Sequence, residues 1–175
     1  MDALKEVAVY LLNTLGSLYM MVVIVRFLLQ LARADFYNPI SQFVVKATNP
    51  LVLPLRRVIP GFGGFDWATL LVALLLQALL ISLILGFNGR LDLLSVSLVA
   101  WSLIGLAAAI TKLFFFTIIV SIVFSWIAPG SNHPVLALLH QINEPILAPL
   151  RRLLPAMGGL DLSPILAFLM INVID

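Results

Sequence analysis

Three runs of apolar residues, Val7–Leu31, Trp67–Phe87 and Leu103–Ala128, are each long enough to cross a bilayer, and this limits the kind of fold open to the chain. A transmembrane helix needs about 20 predominantly apolar residues to traverse roughly 30 Å of hydrocarbon. Hydrophobic residues make up 62% of the sequence and charged ones only 10%, with a mean hydropathy of +1.14. That leaves too little polar surface to coat a water-soluble globule of 175 residues, so the sequence implies an all-α integral membrane protein. The first run is not a cleavable signal peptide: Asp2 and Glu6 give it a start of mixed charge, and it exceeds the roughly 7–15 residues of a signal h-region. The stretch 91–103 is apolar too, but Ser95, Ser97, Trp101 and Ser102 favour an interfacial segment over an early extension of the third span.

Between the runs the chain repeats itself. Pro50, Pro54, Leu55, Arg56, Arg57, Pro60, Gly63, Gly64 and Asp66 recur, at a constant offset of 95 residues, as Pro145, Pro149, Leu150, Arg151, Arg152, Pro155, Gly158, Gly159 and Asp161. With Pro39 and Pro134 there are ten identities over 38–66 and 133–161 without a gap. Chance likeness between apolar segments would match Leu and Val instead. The organisation expected is two tandem helical hairpins, 1–90 with spans at about 7–31 and 67–87, and 91–175 with spans at about 103–128 and 162–175. Because the first copy continues to Phe87 while the second ends at Asp175, the last span reads as truncated, with a natural chain some 10–25 residues longer.

Four alternating spans would put the loops 32–66 and 128–161 on one face. That face carries Arg33, Lys46, Arg56, Arg57, Arg151 and Arg152, against Lys5 and Arg90 opposite, so the positive-inside bias places the loops in the cytoplasm. Within each loop, Asn38-Pro39 is a helix start, with Asn38 as cap and Pro39 at the first helical position; His133-Pro134 is its mate. Ile40, Phe43, Val44 and Ala47, and in the second copy Val135, Leu138, Leu139 and Ile142, form the apolar face expected to lie in the head-group plane. Asn49-Pro50 and Glu144-Pro145 are expected to end these helices and start short second ones, whose last turns hold the arginine pairs. Pro60 and Pro155 then stop the chain, and the Gly pairs permit a turn of positive φ before Asp66 or Asp161.

The doubled Pro-x-x-x-Pro-Leu-Arg-Arg-x-x-Pro, followed by Gly-Gly-x-Asp and an apolar helix, resembles the YggT family of small bacterial membrane proteins, also called YlmG, which has plastid relatives. The resemblance covers nearly the whole chain. It implies a multi-pass protein of the bacterial cytoplasmic (inner) membrane, linked to osmotic stress and ion homeostasis, to division or nucleoid organisation, and in plastids to assembly of a b-type cytochrome. It supplies no catalytic residue. The haem role transfers poorly, because the chain has no cysteine and no pair of membrane histidines.

The candidate residues are few. Arg56, Arg57, Arg151 and Arg152 offer planar, bidentate donors for the phosphates of anionic lipids or for an acidic partner, against a plainer role as interfacial anchors. Asp66 and Asp161 read as helix caps before they read as metal ligands. Lys112 lies deep in the third span and is either an intramembrane functional charge or a boundary between two segments. Arg26, near the end of the first span, is expected to snorkel, while Asn13, Thr14, Gly16 and Ser17 suggest close helix packing. His133 and His140 share a helix face but lack further ligands, so no metal or other cofactor is expected. A net charge of +2 gives little support to nucleic-acid binding. Membrane lipids, other membrane proteins and a second copy of the chain are the expected partners. The function expected is a non-enzymatic scaffold or assembly factor, with an oligomeric ion or small-solute conduit as the alternative.

Overall fold

The structure, a computed structural model, describes residues 2–90, 97–128, 130–131, 133–153 and 161–174. Its regular elements are all helical: α1 (Asp2–Leu31), α2 (Pro39–Arg56), α3 (Trp67–Phe87), α4 (Ser97–Ile127), α5 (Pro134–Leu153) and α6 (Ser163–Ile174). Outside them lies one isolated bridge, Phe62 with Phe65. α1, α3 and α4 are long and apolar enough to cross a membrane, while α6 is apolar but shorter. At 31 residues α4 is about 46 Å long, well beyond the thickness of the hydrocarbon core.

α4 runs unbroken from Ser97 through Lys112 to Ile127. The segment expected at the interface is therefore, from Ser97 onward, the first turns of this helix; residues 91–96 lie outside the described residues. Its serines do not interrupt it, because a hydroxyl can return its proton to the preceding turn: Ser102 Oγ donates to the Leu98 carbonyl at 2.7 Å.

α2 and α5 correct the sequence reading in two respects. Each is one continuous helix with its two prolines inside, Pro50 and Pro54 or Pro145 and Pro149, where a break was expected. A helical proline withholds the N–H that would reach the carbonyl four residues back, but α1 supplies donors beside the gap in α2. Tyr19 Oη donates to the Ala47 carbonyl at 3.1 Å and Arg26 Nη1 to that of Val45 at 3.3 Å. The buried stripe also differs from the apolar one expected. In α2 it is Ser41, Val44, Thr48 and Val52, whereas Phe43 is exposed. In α5 it includes Asn143 beside Leu138, Ile142, Leu147 and Leu150. The polar members are buried because they are bonded, Ser41 Oγ for instance donating to the Asp35 carbonyl at 2.8 Å.

The chain forms two compact units. One comprises 1–27 and 44–109; its buried residues include Val23 and Ile24 of α1, Val52 of α2 and Val72 of α3. Gly16 lies against the Leu80 side chain and Gly105 against Gln77, so helices approach closely at these glycines. The other comprises 28–43 and 110–175. There the α2 start is fastened by Asn38, whose Oδ1 accepts from the Ile40 N–H at 3.0 Å while its Nδ2 donates to the Pro134 carbonyl at 2.9 Å. His133 Nδ1 takes the equivalent capping bond from the Val135 N–H at 3.3 Å. α6 packs on α5 and meets α4 through Phe115 and Phe168, with ring centroids 5.0 Å apart.

Candidate functional site

In the first unit the motif builds a turn that ends in an ion pair. α2 stops at Arg56, and the Val58 and Ile59 N–H groups close back on the Leu55 carbonyl at 3.0 and 2.8 Å before Pro60 bars further helix. Gly63 and Gly64 follow at φ 66° and 84°, both left-handed, which reverses the chain so that the Phe65 N–H reaches the Phe62 carbonyl at 3.2 Å. Asp66 thereby arrives at the start of α3 as its N-cap. Its Oδ1 accepts from the Thr69 N–H at 3.2 Å and its Oδ2 from the Thr69 hydroxyl at 2.6 Å, and Arg56 is ion-paired to the same Oδ2. The Asp66 side chain is fully sealed, at 0% exposure. Phe65 and Trp67 flank it with ring centroids 5.7 Å apart, and Phe27 stacks on Phe65 at 6.4 Å.

A second polar contact lies beside this pair, and sequence reasoning missed its role. Arg26, expected to snorkel, is only 3% exposed and turns onto α2. Its Nη1 donates to Thr48 Oγ1 at 2.7 Å and to Asn49 Oδ1 at 2.9 Å as well as to Val45 O. A guanidinium at membrane depth gains more from neutral acceptors held in place than from an unguided reach to the surface.

The second unit makes corresponding bonds with different residues. Asn143, 95 positions after Thr48, accepts from the Thr117 hydroxyl at 2.7 Å and donates to Ser121 Oγ at 2.9 Å; Ser121 stands 95 positions after Arg26. Arg151 reaches Asp161 Oδ2 through Nε at 3.0 Å, as Arg56 reaches Asp66, and also grips both oxygens of Glu144 through Nη1 at 3.0 and 2.9 Å. Asp161 Oδ1 accepts from the Ser163 N–H at 2.9 Å at the start of α6. This pair is open, the Asp161 side chain being 45% exposed.

The aspartates have a common electrostatic logic. Burial alone would raise Asp66, but the two Thr69 hydrogen bonds and the Arg56 guanidinium outweigh it and hold the carboxyl below the ordinary range. At Asp161 burial again pushes upward, and Ser163 and Arg151 again win. Desolvation pulls Arg151 down while Asp161 and Glu144 push it up further, so that its pKa is raised. Both aspartates thus cap a helix and pair with an arginine at once.

The remaining motif residues fall apart spatially or chemically. Arg57 and Arg152 are exposed and make no side-chain hydrogen bond or ion pair among the described residues. Lys112 is likewise exposed and unpaired, midway along α4. Pro155, Gly158 and Gly159 lie outside the described residues. Among the described residues no three His, Asp or Glu side chains gather as a metal site would require. His140 instead faces a groove of about 470 Å³ in the second unit, with Arg151 and Asp161 at its rim. The missed residues carried one usable signal, since positions 26 and 121, and 48 and 143, are polar at the same offset as the motif.

A family model described as CCB3/YggT matches residues 6–87 and again 100–175. An uncharacterized protein of Pseudomonas aeruginosa is 53% identical over 176 aligned residues, covering 100% of this chain and 89% of that protein. A Vibrio alginolyticus protein, described as uncharacterized and lying in the proC 3′ region, is 44% identical over 91% of this chain and 86% of its own. The uncharacterized protein YggT of Escherichia coli K12 is 43% identical over 95% of this chain and 86% of its own. No solved structure matches.

The two aspartates should separate in a stability measurement. Asp66→Asn retains a capping oxygen but leaves a sealed site without its charge, and is expected to lower unfolding stability in detergent by about 2 kcal/mol. Asp161→Asn, half exposed, is expected to cost under about 1 kcal/mol. Since both folded-state values are depressed, the contribution is fully present above the ordinary carboxylate pKa near 3.9. It disappears as pH falls through the depressed values, so acid titration of the melting temperature should lose its steepest component in Asp66→Asn.

Proposed function

This chain belongs to the CCB3/YggT family, and from that premise we propose that it is a non-enzymatic scaffold or assembly factor of the bacterial inner membrane. In this reading two tandem helical units present Arg57 and Arg152 at the cytoplasmic surface, to anionic head groups or to acidic segments of partner membrane proteins. The observation that supports it is a division of labour inside each arginine pair. Arg56 and Arg151 are held by Asp66 and Asp161, whereas Arg57 and Arg152, one residue on, are exposed and their guanidiniums meet no partner among the described residues. A guanidinium kept free at a helix C-terminus, beside a neighbour already neutralised, is available for bidentate phosphate or carboxylate contacts. The exposed apolar side chains of α2, Phe43 at 65% and Leu53 at 46%, suit a helix that rests in the head-group layer.

One observation favours an oligomeric ion or small-solute conduit instead. Lys112 is exposed eleven residues after Trp101 and fourteen before Trp126, both exposed tryptophans of the same helix. If these mark the two interfaces, Lys112 lies at the middle of the bilayer, where an unpaired ammonium is costly and needs water or a counter-charge.

Brominated phosphatidylglycerol, titrated into phosphatidylcholine bilayers holding the protein, reports anionic-lipid preference through tryptophan quenching. Arg57→Gln with Arg152→Gln should weaken that preference by about 1 kcal/mol for each arginine; unchanged preference in correctly inserted protein contradicts the lipid-binding scaffold. The conduit predicts ion flux through protein-loaded liposomes that falls on Lys112→Leu, and liposomes that stay tight under a gradient rule it out.

A further inference from the structure

We infer that the groove of the second unit is a binding site for a single phospholipid with a primary-amine head group. The two copies of the sequence put residues of different size at corresponding positions. Where the first copy has Arg26, Phe27, Gln30 and Trp67, the second has Ser121, Ile122, Ser125 and Leu162, every one of them smaller. All four smaller residues line the groove. Enlargements along the same walls are Val23 to Ile118 and Val52 to Leu147, one carbon each, and the larger Val45 to His140 and Leu31 to Trp126, of which Trp126 stays 79% exposed. In the first unit Arg26 and Phe27 are buried and the aspartate beside them is sealed at 0% exposure. In the second, Ser121 and Ile122 are partly accessible and Asp161 is 45% exposed. The groove is therefore where one copy has given up the side chains with which the other closes itself.

Its lining has a polar end and an apolar run. Trp126, 79% exposed, lines the groove together with Ser125, Arg151 and Asp161, and tryptophan and arginine are residues that meet head groups. Ile118 lies eight residues back along α4, about 12 Å deeper into the hydrocarbon, and Leu147 and Ile165 continue the apolar wall. A volume of about 470 Å³ falls within the usual range for small-molecule pockets, room for a head group and part of a chain. The shape is that of a lipid: head at the rim, chain in the trough.

Charge selects the head group. Arg151, which lines the groove with Asp161, also holds Glu144 just outside it, so two carboxylates meet this one guanidinium. The first unit fills the corresponding place with a cation of its own, Arg26, which donates to Thr48 and Asn49. Their mates in the second copy are Asn143 and Glu144, the latter a carboxylate where the former was neutral. A primary ammonium fits what Arg26 leaves vacant, donating toward Asp161, while the lipid phosphate meets His140 and the Arg151 edge. A purely anionic head group would meet the excess carboxylate instead.

The site is tested with protein in nanodiscs of equal phosphatidylethanolamine and phosphatidylglycerol, with retained lipids counted by native mass spectrometry. The intact chain should hold one phosphatidylethanolamine, preferred several-fold over phosphatidylglycerol. Ile122→Phe and Leu162→Trp, which restore the residues of the first copy, should each lower its retention about tenfold, while Val99→Phe, on an exposed stretch of α4, should not. Asp161→Asn should erase the preference for the amine without emptying the groove. Should a filling variant fold poorly, photoactivatable phosphatidylethanolamine on the unaltered chain decides, and must label peptides containing Ile118–Trp126 or Asp161–Ile165. The inference is overturned by full retention in both filling variants, by preference for phosphatidylglycerol, or by labelling elsewhere alone. Phosphatidylglycerol held at Arg57 and Arg152 is counted apart by repeating the measurement on Arg57→Gln with Arg152→Gln, so the scaffold reading stands or falls separately.

Discussion

A proline inside a helix at a membrane surface leaves a carbonyl without its donor, and hydrocarbon offers no water to replace it. α2 and α5 each contain two prolines, and each is bonded by polar side chains from a long apolar helix. In the first unit Tyr19 and Arg26 serve α2; in the second Thr117 and Ser121 serve α5 through Asn143. Much of the described architecture follows from these bonds. α2 and α5 pass through Pro50 and Pro145 without a break, and that continuity carries the arginine pair to the helix end. There one arginine can meet an aspartate ten residues further on, across a turn that in the first unit two left-handed glycines make possible.

The two units reach similar geometry with unlike charge. The first buries a guanidinium on neutral acceptors and seals its aspartate at the start of α3. The second uses hydroxyls and an amide inside, and places its extra carboxylate, Glu144, at the exposed end against Arg151. A buried ion or polar group adds little net stability over an apolar core, but removing its partner is severely destabilising. Such clamps therefore fix one arrangement of the surface helix more than they strengthen it. This asymmetry is also what leaves one unit closed beside its aspartate and the other grooved.

The sequence was most informative where chemistry is local. Long apolar runs predict spans by length alone, and α1, α3 and α4 are where those runs lie. Gly63, Gly64 and Asp66 announce a turn and a cap because left-handed backbone and N-cap geometry belong to a few residue types. It misled where a tertiary partner overrides a local preference. Asn49-Pro50 reads as a helix end, yet α2 continues through it with donors from Tyr19 and Arg26 next to the gap, and Ser41, outside the apolar face expected, is buried with its hydroxyl on the Asp35 carbonyl. Arg26 looked like a snorkelling side chain because its depth is legible in sequence while its acceptors, 19 to 23 residues away, are not. The arginine pairs were legible as candidates; which member of each pair is engaged was not, since that depends on where the turn returns the aspartate.

The most direct test of the dependence on cross-helix bonds is a double-mutant cycle of Arg26→Met and Thr48→Val, read as unfolding free energy in detergent. The account predicts that the two substitutions are coupled by about 1 kcal/mol or more, because either one removes the same charged hydrogen bond. Additivity within about 0.3–0.5 kcal/mol would contradict it, and would mean that the Arg26–Thr48 bond does not hold α2 to α1.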